Sequence, residues 1–236
     1  MNFKMLPIKG IQKTSLIDYP PYTSCVIFIG GCNFRCGYCH NFNLVLKYKE
    51  IKTIDEKEII DYLISKKKWI DAVVITGGEP TLYPELIDFF REIKKLNLKI
   101  KLDTNGSNPK LLWDMLDEKL IDYIAMDIKG PMNSYEKITI TTVDIEKIKK
   151  SISLIKNSNI DYEFRTTVIP KLLTKEDLIT ISKELKGAKR YVMQQFCNKG
   201  SVLDLSFMNE KIYTKKELEE IEELIRPNFD EIIIRG

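Results

Sequence analysis

The segment SCVIFIGGCNFRCGYCHN, Ser24–Asn41, joins a short apolar, β-rich run to a loop rich in cysteine. The run ends in two glycines, which is the pattern of a buried strand that enters a tight turn. Cys32, Cys36 and Cys39 follow, three of the five cysteines of the chain, and the single histidine, His40, comes next. A strand that carries such a loop at its carboxyl end is typical of an α/β sheet with its site at the strand ends.

The same strand pattern recurs along the chain and alternates with helical patterns. Further strand candidates are Asp71–Glu79, Leu98–Gly106, Asp122–Gly130, Asp161–Pro170, Lys189–Phe196 and Phe229–Gly236. Between them apolar residues recur at helical spacing, and capping boxes at Thr53 and Thr214 begin two helices. This alternation predicts right-handed βαβ units and a mainly parallel sheet. About six units are too few for a closed barrel, so an open partial barrel or a doubly wound sheet remains.

Composition places the chain among ordinary globular proteins. Its 236 residues, 44% of them hydrophobic, are enough for a sizeable core. The net charge of +3 is spread along the chain, which argues against nucleic-acid partners and a membrane-binding patch. No signal sequence or membrane-spanning run is visible. We therefore expect a cytoplasmic protein with one domain over residues 1–236, in which clustered cysteines are metal ligands or redox groups.

The spacing of the loop cysteines, C-x₃-C-x₂-C, favours an iron–sulfur cluster over other uses of clustered thiols. A structural zinc site needs four ligands, usually in two close pairs, and no second pair follows. A redox dithiol would leave the third cysteine without a role. A four-iron cluster normally takes four cysteines, so three would leave one iron open to a substrate or cofactor.

Polar and glycine-rich clusters follow most of the predicted strands. They are TGGEP (Thr76–Pro80), DTNG (Asp103–Gly106), DIKG (Asp127–Gly130), RTT (Arg165–Thr167) and QQFCNKG (Gln194–Gly200). Each alone has the composition of an ordinary turn. Because the carboxyl ends of parallel strands lie at one edge of a sheet, their recurrence predicts a functional rim beside the cysteine loop.

Together these motifs resemble those of the radical S-adenosylmethionine (SAM) superfamily. CNFRCGYC resembles its cysteine motif, and GGEP resembles its glycine-glycine-glutamate motif. DTNG and DIK are similar to later motifs of glycyl-radical-enzyme activases. The opening Ile8–Asn41, IKGIQKTSLIDYPPYTSCVIFIGGCNFRCGYCHN, is most similar to activating proteins of anaerobic ribonucleoside-triphosphate reductases. The resemblance covers nearly the whole chain and implies a partial, open (β/α)₆ barrel with a mainly parallel sheet.

The resemblance implies that Cys32, Cys36 and Cys39 hold a [4Fe–4S] cluster whose fourth iron binds SAM. One electron from the cluster would cleave SAM to methionine and a 5′-deoxyadenosyl radical, which would take hydrogen from a glycine of a partner enzyme. The implied partners are a glycyl-radical enzyme, here an anaerobic ribonucleoside-triphosphate reductase, and a one-electron donor such as ferredoxin or flavodoxin. The alternative is a radical SAM enzyme that acts on a purine-like or pterin-derived small molecule.

The resemblance also assigns SAM contacts near the cysteine loop. The backbone around Tyr38, Cys39 and His40 would lie near the adenine, with His40 a neighbour of the cluster rather than a ligand. Gly78 and Glu79 match the motif that holds the SAM amino group. The structural alternative for Glu79 is a charge at the N-terminus of the helix that begins at the next residue, a proline.

Further SAM contacts are assigned to the later strand ends. Asp103, Asn105, Asp127 and Lys129 match residues that line the methionyl and ribose region of SAM. Lys129 would pair with the SAM carboxylate, Asn105 would bond a ribose hydroxyl, and the two aspartates would bind a monovalent cation. Arg165 is a further candidate contact with SAM or substrate. For the charged residues the alternative is a set of structural ion pairs.

Overall fold

The computed structural model describes residues 5–236, which form one eight-stranded sheet with the strands in chain order. The strands are β1 (Ile8–Ser15), β2 (Ser24–Ile29), β3 (Ala72–Gly77), β4 (Lys99–Thr104), β5 (Tyr123–Asp127), β6 (Asp161–Val168), β7 (Ala188–Gln195) and β8 (Phe229–Arg235). β1 pairs antiparallel with β2, and every later pair is parallel. β1 and β8 lie at opposite ends of the order and do not pair. This confirms the partial, open barrel.

Helices lie between the parallel strands and pack on the outer face of the sheet. They are α1 (Phe42–Leu46), α2 (Glu56–Lys66), α3 (Leu86–Lys95), α4 (Pro109–Asp117), α5 (Tyr135–Thr139), α6 (Ile145–Lys156), α7 (Lys175–Glu184) and α8 (Lys215–Ile225). In α3, Phe89, Phe90 and Ile93 are buried on one face, as the helical spacing requires. No helix within residues 5–236 is long and apolar enough to cross a membrane.

The two faces of the sheet differ in character. Along β2, Cys25, Ile27 and Ile29 join the main core under the helices. Val26 points the other way, into a smaller apolar cluster that includes Tyr123. Since successive side chains of a strand point to opposite faces, this alternation leaves the inner, concave face only partly apolar. A groove of about 1440 Å³ runs along that face.

The structure corrects two local expectations. β1 was not predicted, because IKGIQKTS is mostly polar and only its two ends, Ile8 and Ser15, are buried. The prediction of a capping box at Thr53 is wrong. Asp55 caps α2, and the Thr53 hydroxyl accepts a hydrogen bond from Lys9 at 2.7 Å. The capping box at Thr214 is confirmed.

Candidate active site at the carboxyl ends of the strands

A cavity of about 390 Å³ lies at the carboxyl ends of the central strands. Every residue that the sequence predicts for the site lines it: Cys32, Cys36, Tyr38, Cys39, His40, Gly78, Glu79, Asp103, Asn105, Asp127, Lys129 and Arg165. These residues come from the ends of β2 to β6, which explains how segments far apart in sequence meet at one place.

The cysteine loop is fixed to the end of β3 by backbone contacts. The N–H of Glu79 donates to the carbonyl of Gly31 at 2.7 Å, and the N–H of Gly78 donates to Ile29 at 2.8 Å. A Cβ on Gly78 would lie only 1.9 Å from the Gly31 oxygen. Gly78 is therefore required because the two backbones approach closely, whatever else it contacts.

The three loop thiols lie in a largely buried environment. Burial raises the pKa of Cys32 to about 12, and the charge of Glu79 adds to this effect. Burial also raises the pKa of Cys36 and of Cys39. Buried thiolates need a strong positive partner, which iron supplies in a cluster.

No group of three or more His, Cys, Asp or Glu within residues 5–236 is arranged to hold a single metal ion. The imidazole of His40 stacks on Phe196, with ring centroids 5.6 Å apart. The His40 ring therefore lies against an aromatic side chain beside the cysteine loop.

The carboxylate of Glu79 is buried and receives four hydrogen bonds. Its Oε1 accepts from the backbone N–H and the hydroxyl of Thr81, at 3.0 and 2.5 Å, and from the hydroxyl of Thr104 at 2.7 Å. Its Oε2 accepts from the N–H of Asn105 at 2.6 Å. Glu79 also caps the short 3₁₀ helix Pro80–Leu82. The sequence allowed a structural role for Glu79, as a charge at a helix N-terminus, and the structure shows that role.

We expect Glu79→Gln to destabilise the protein even in the absence of any cofactor. The glutamine oxygen can still accept from Thr81 and Thr104, but its NH₂ group would face the donating N–H of Asn105. An unpaired buried donor of this kind costs about 1–3 kcal/mol. Urea unfolding measures the difference, with Glu92→Gln on the exposed face of α3 as the matched control. Equal stability of the two variants would contradict the role assigned to Glu79.

Five charged side chains form one network at the floor of the cavity. The guanidinium of Arg165 contacts Asp127 at 2.6 Å and Asp103 at 3.2 Å. Lys129 contacts Asp127 at 3.2 Å, and Lys101 lies 3.6 Å from Asp103. Burial opposes ionisation of Asp127, but Arg165 and Lys129 outweigh it and hold the pKa of this carboxyl at about 2. The ion pairs that the sequence allowed as an alternative are therefore formed, and Asp127 stays ionised.

Two buried polar groups on the cavity wall lack hydrogen-bond partners among the described residues. They are Oδ1 of Asp103 and the side-chain amide of Gln195. Sequence reasoning missed Gln195, since nothing in QQFCNKG distinguishes it from its neighbours. Unpaired polar atoms in a cavity are costly unless a ligand or ion satisfies them. Oδ1 of Asp103 also lies 3.6 Å from the ammonium of Lys101. Three thiols, a carboxylate oxygen that accepts no hydrogen bond and a free amide form a donor set that fits an iron–sulfur cluster and a zwitterionic ligand with a base.

Residues 26–185 match the Radical SAM superfamily, and the chain belongs to that family. Among its relatives is a provisionally named glycyl-radical enzyme activating enzyme of Methanocaldococcus jannaschii. It is 37% identical over 234 residues, which is 97% of this chain and 95% of the relative. The pyruvate formate-lyase 1-activating enzyme of Escherichia coli K12 is 29% identical over 170 residues, covering 69% of this chain and 68% of the relative. The resemblance to radical SAM glycyl-radical-enzyme activating enzymes is confirmed.

Solved structures agree on the fold. Streptococcus suis SuiB bound to precursor peptide SuiA superposes with a TM-score of 0.69 at 17% identity, over 89% of this chain. The chain spans about half of SuiB, 48% of its length. A domain of the pyruvate-formate lyase-activating enzyme of Bacteroides vulgatus gives a TM-score of 0.55 at 15% identity, over 70% of this chain and 99% of that domain. The family implies a [4Fe–4S] cluster and SAM as cofactors.

Proposed function

We propose that the protein is an activase that installs a glycyl radical on a partner enzyme, an anaerobic ribonucleoside-triphosphate reductase. The observation that supports this most is the continuity of two spaces. The cavity beside the cysteine loop and the groove along the inner face of the sheet share Asp18, Asp103, Arg165 and Gln194 in their walls. The groove is open and leads to the cysteine loop. Such a shape suits a loop of another protein better than a small molecule, which needs an enclosed pocket.

In this proposal Cys32, Cys36 and Cys39 hold the [4Fe–4S] cluster and leave its fourth iron to SAM. When bound, the cluster supplies the electron that cleaves SAM to methionine and a 5′-deoxyadenosyl radical, which abstracts hydrogen from the partner's glycine. The chain's residues bind and orient SAM. Because Glu79 already accepts four hydrogen bonds within the protein, three of them at Oε1, we assign the SAM amino group to the glycine backbone at Gly77–Gly78 rather than to that carboxylate.

The charged network sets the position of the methionyl end of SAM. Among the described residues Lys129 pairs only with Asp127, so its remaining N–H groups are available for the SAM carboxylate. Oδ1 of Asp103 accepts no hydrogen bond from the described residues and lies 3.6 Å from the ammonium of Lys101, which leaves room for a monovalent cation or the SAM ammonium group to contact it. Arg165 is already shared between two aspartates, so it holds those carboxylates in place rather than binding SAM itself.

In the same proposal the adenine of SAM lies beside the cysteine loop. The backbone around Tyr38, Cys39 and His40 borders the cavity on one side, and the unpaired amide of Gln195 borders it on another. A ferredoxin or a flavodoxin supplies the single electron for each turnover, since the chain offers only one cysteine cluster of its own.

The test is to mix the reconstituted, reduced protein with SAM and the anaerobic ribonucleotide reductase of the same organism. We expect an EPR doublet on the reductase, because one α-hydrogen remains on a glycyl radical and splits the signal. SAM cleavage without any such doublet, together with a modified purine or pterin after incubation with a small-molecule pool, would support the alternative substrate class. Absence of SAM cleavage would contradict both.

A further inference from the structure

The side chain of Asn105 lies between the turn after β4 and the cysteine loop and is 5% exposed. Its Oδ1 accepts a hydrogen bond from the backbone N–H of Ser107 at 3.0 Å. Because a backbone N–H can only donate, this contact fixes which end of the amide carries the oxygen. The NH₂ group of Asn105 must therefore face the cysteine loop.

Two acceptors on the loop lie in front of that NH₂ group. Oδ1 of Asn33 is 2.8 Å from the nitrogen, and Sγ of Cys32 is 4.0 Å from it, at the outer limit of an N–H···S contact. The Cys32 sulfur also accepts from the backbone N–H of Phe34 at 3.3 Å. Asn33 in turn donates to the hydroxyl of Ser107 at 3.0 Å, which joins loop and turn a second time.

The backbone of Asn105 is fixed by a hydrogen bond to Glu79. Its backbone N–H donates to Oε2 of Glu79 at 2.6 Å, and the hydroxyl of the preceding Thr104 donates to Oε1 at 2.7 Å. These bonds fix the backbone of Asn105, while the N–H of Ser107 and the Oδ1 of Asn33 hold the two ends of its amide. Turning the amide away would leave those buried groups unpaired, which is costly. The NH₂ group therefore faces the cysteine loop before any cofactor binds, with Asn33 as its nearer acceptor and Cys32 at the outer limit of contact.

We propose that Asn105 is a positioning residue that holds an N–H donor against the Cys32 sulfur and so raises the reduction potential of the cluster. The inference rests on the proposed function, since it requires the cluster. Reduction adds negative charge to the cluster and its thiolates, and a hydrogen bond to a ligand sulfur stabilises that added charge. This role differs from the ribose contact expected from the sequence, because it operates without SAM.

The test is a redox titration of the reconstituted protein without SAM, followed by EPR of the reduced cluster. At the midpoint potential of the wild type, we expect Asn105→Leu to lower the ratio of reduced to oxidised cluster about fivefold, the effect of one modest hydrogen bond. Asn105→Asp has nearly the same shape but places a carboxylate near the sulfur, so the ratio should fall at least as far.

Asn33→Ala is the matched control, because it removes the other acceptor of the same amide and leaves the donor to Cys32. Its ratio should equal that of the wild type. The inference is overturned if Asn105→Leu keeps the wild-type potential, or if Asn33→Ala shifts it equally. It is also overturned, in favour of an assembly role, if neither Asn105 variant assembles a cluster while Asn33→Ala does. Failure of the wild type to assemble a cluster would instead contradict the proposed function.

Discussion

Replacing Cys36 by alanine should abolish reductive SAM cleavage. Even the partners of metal ligands typically contribute 10–100-fold to affinity or activity, so loss of a ligand should lower cleavage by more than about a hundredfold. Cys36 is buried, 7% exposed, so no other side chain can replace it without rearranging the loop. Iron and sulfide content, and the methionine and 5′-deoxyadenosine formed with dithionite, measure the effect under anaerobic conditions.

Cys25→Ala is the control for that experiment. Cys25 is fully buried in β2, but its side chain points into the core under the helices. We expect this variant to keep its iron and its cleavage activity, because only the packing of one sulfur atom is lost. Retention of iron and activity by Cys36→Ala would show that the loop does not hold the cluster as proposed.

Replacing Arg165 by methionine should produce the second large effect, on stability. The change removes the cation that Asp103 and Asp127 share and leaves each buried carboxylate with a single lysine, at 3.6 and 3.2 Å. Breaking a buried ion pair in this way costs about 3–5 kcal/mol. Arg91→Met on α3 is the control, because Arg91 pairs with Glu118 on the exposed surface and such pairs contribute about 1 kcal/mol or less. Urea unfolding of the cofactor-free proteins measures both variants.

The loss of stability caused by Arg165→Met should depend on pH. The pKa of Asp127 is about 2 in the folded protein, below its ordinary value of 3.8, so its ionisation stabilises the fold above pH 3.8. That contribution disappears as pH falls from 3.8 toward 2. Without Arg165 only Lys129 opposes the effect of burial on Asp127, so the charged form of this carboxylate is less stable and the variant loses most stability at neutral pH. The difference from the wild type should therefore be larger at pH 6 than at pH 3, and a difference independent of pH would contradict this account.

Much of the fold could be predicted because its signals are local. Runs such as AVVITG in β3 are continuous and apolar, as expected of strands covered on both faces, and glycine-rich turns mark their ends. β1 escaped prediction because only its two ends are buried, and its pairing with β2 is a contact that no local pattern encodes. The capping of α2 by Asp55 was missed because two acceptors, Thr53 and Asp55, compete within three residues.

The membership of the site could be predicted, but the direction of its side chains could not. Parallel strands bring their carboxyl ends together, so every predicted residue reaches the cavity. The hydrogen-bond partners of each residue depend on tertiary distances. The carboxylate of Glu79 binds groups of the protein itself, the NH₂ group of Asn105 faces the loop that carries Cys32, and the amide of Gln195 has no partner among the described residues. None of these contacts follows from residue type or spacing.

The most direct test of the activase proposal follows one hydrogen atom. The candidate reductase is produced with α-deuterated glycine and mixed with the reduced protein and SAM, and the 5′-deoxyadenosine formed is analysed by mass spectrometry. The C–D bond of the partner's glycine would break and a C–D bond would form at the 5′ carbon, so we predict 5′-deoxyadenosine one mass unit heavier. Unlabelled 5′-deoxyadenosine, formed at the same rate with and without the reductase, would contradict radical transfer to a glycine of that partner.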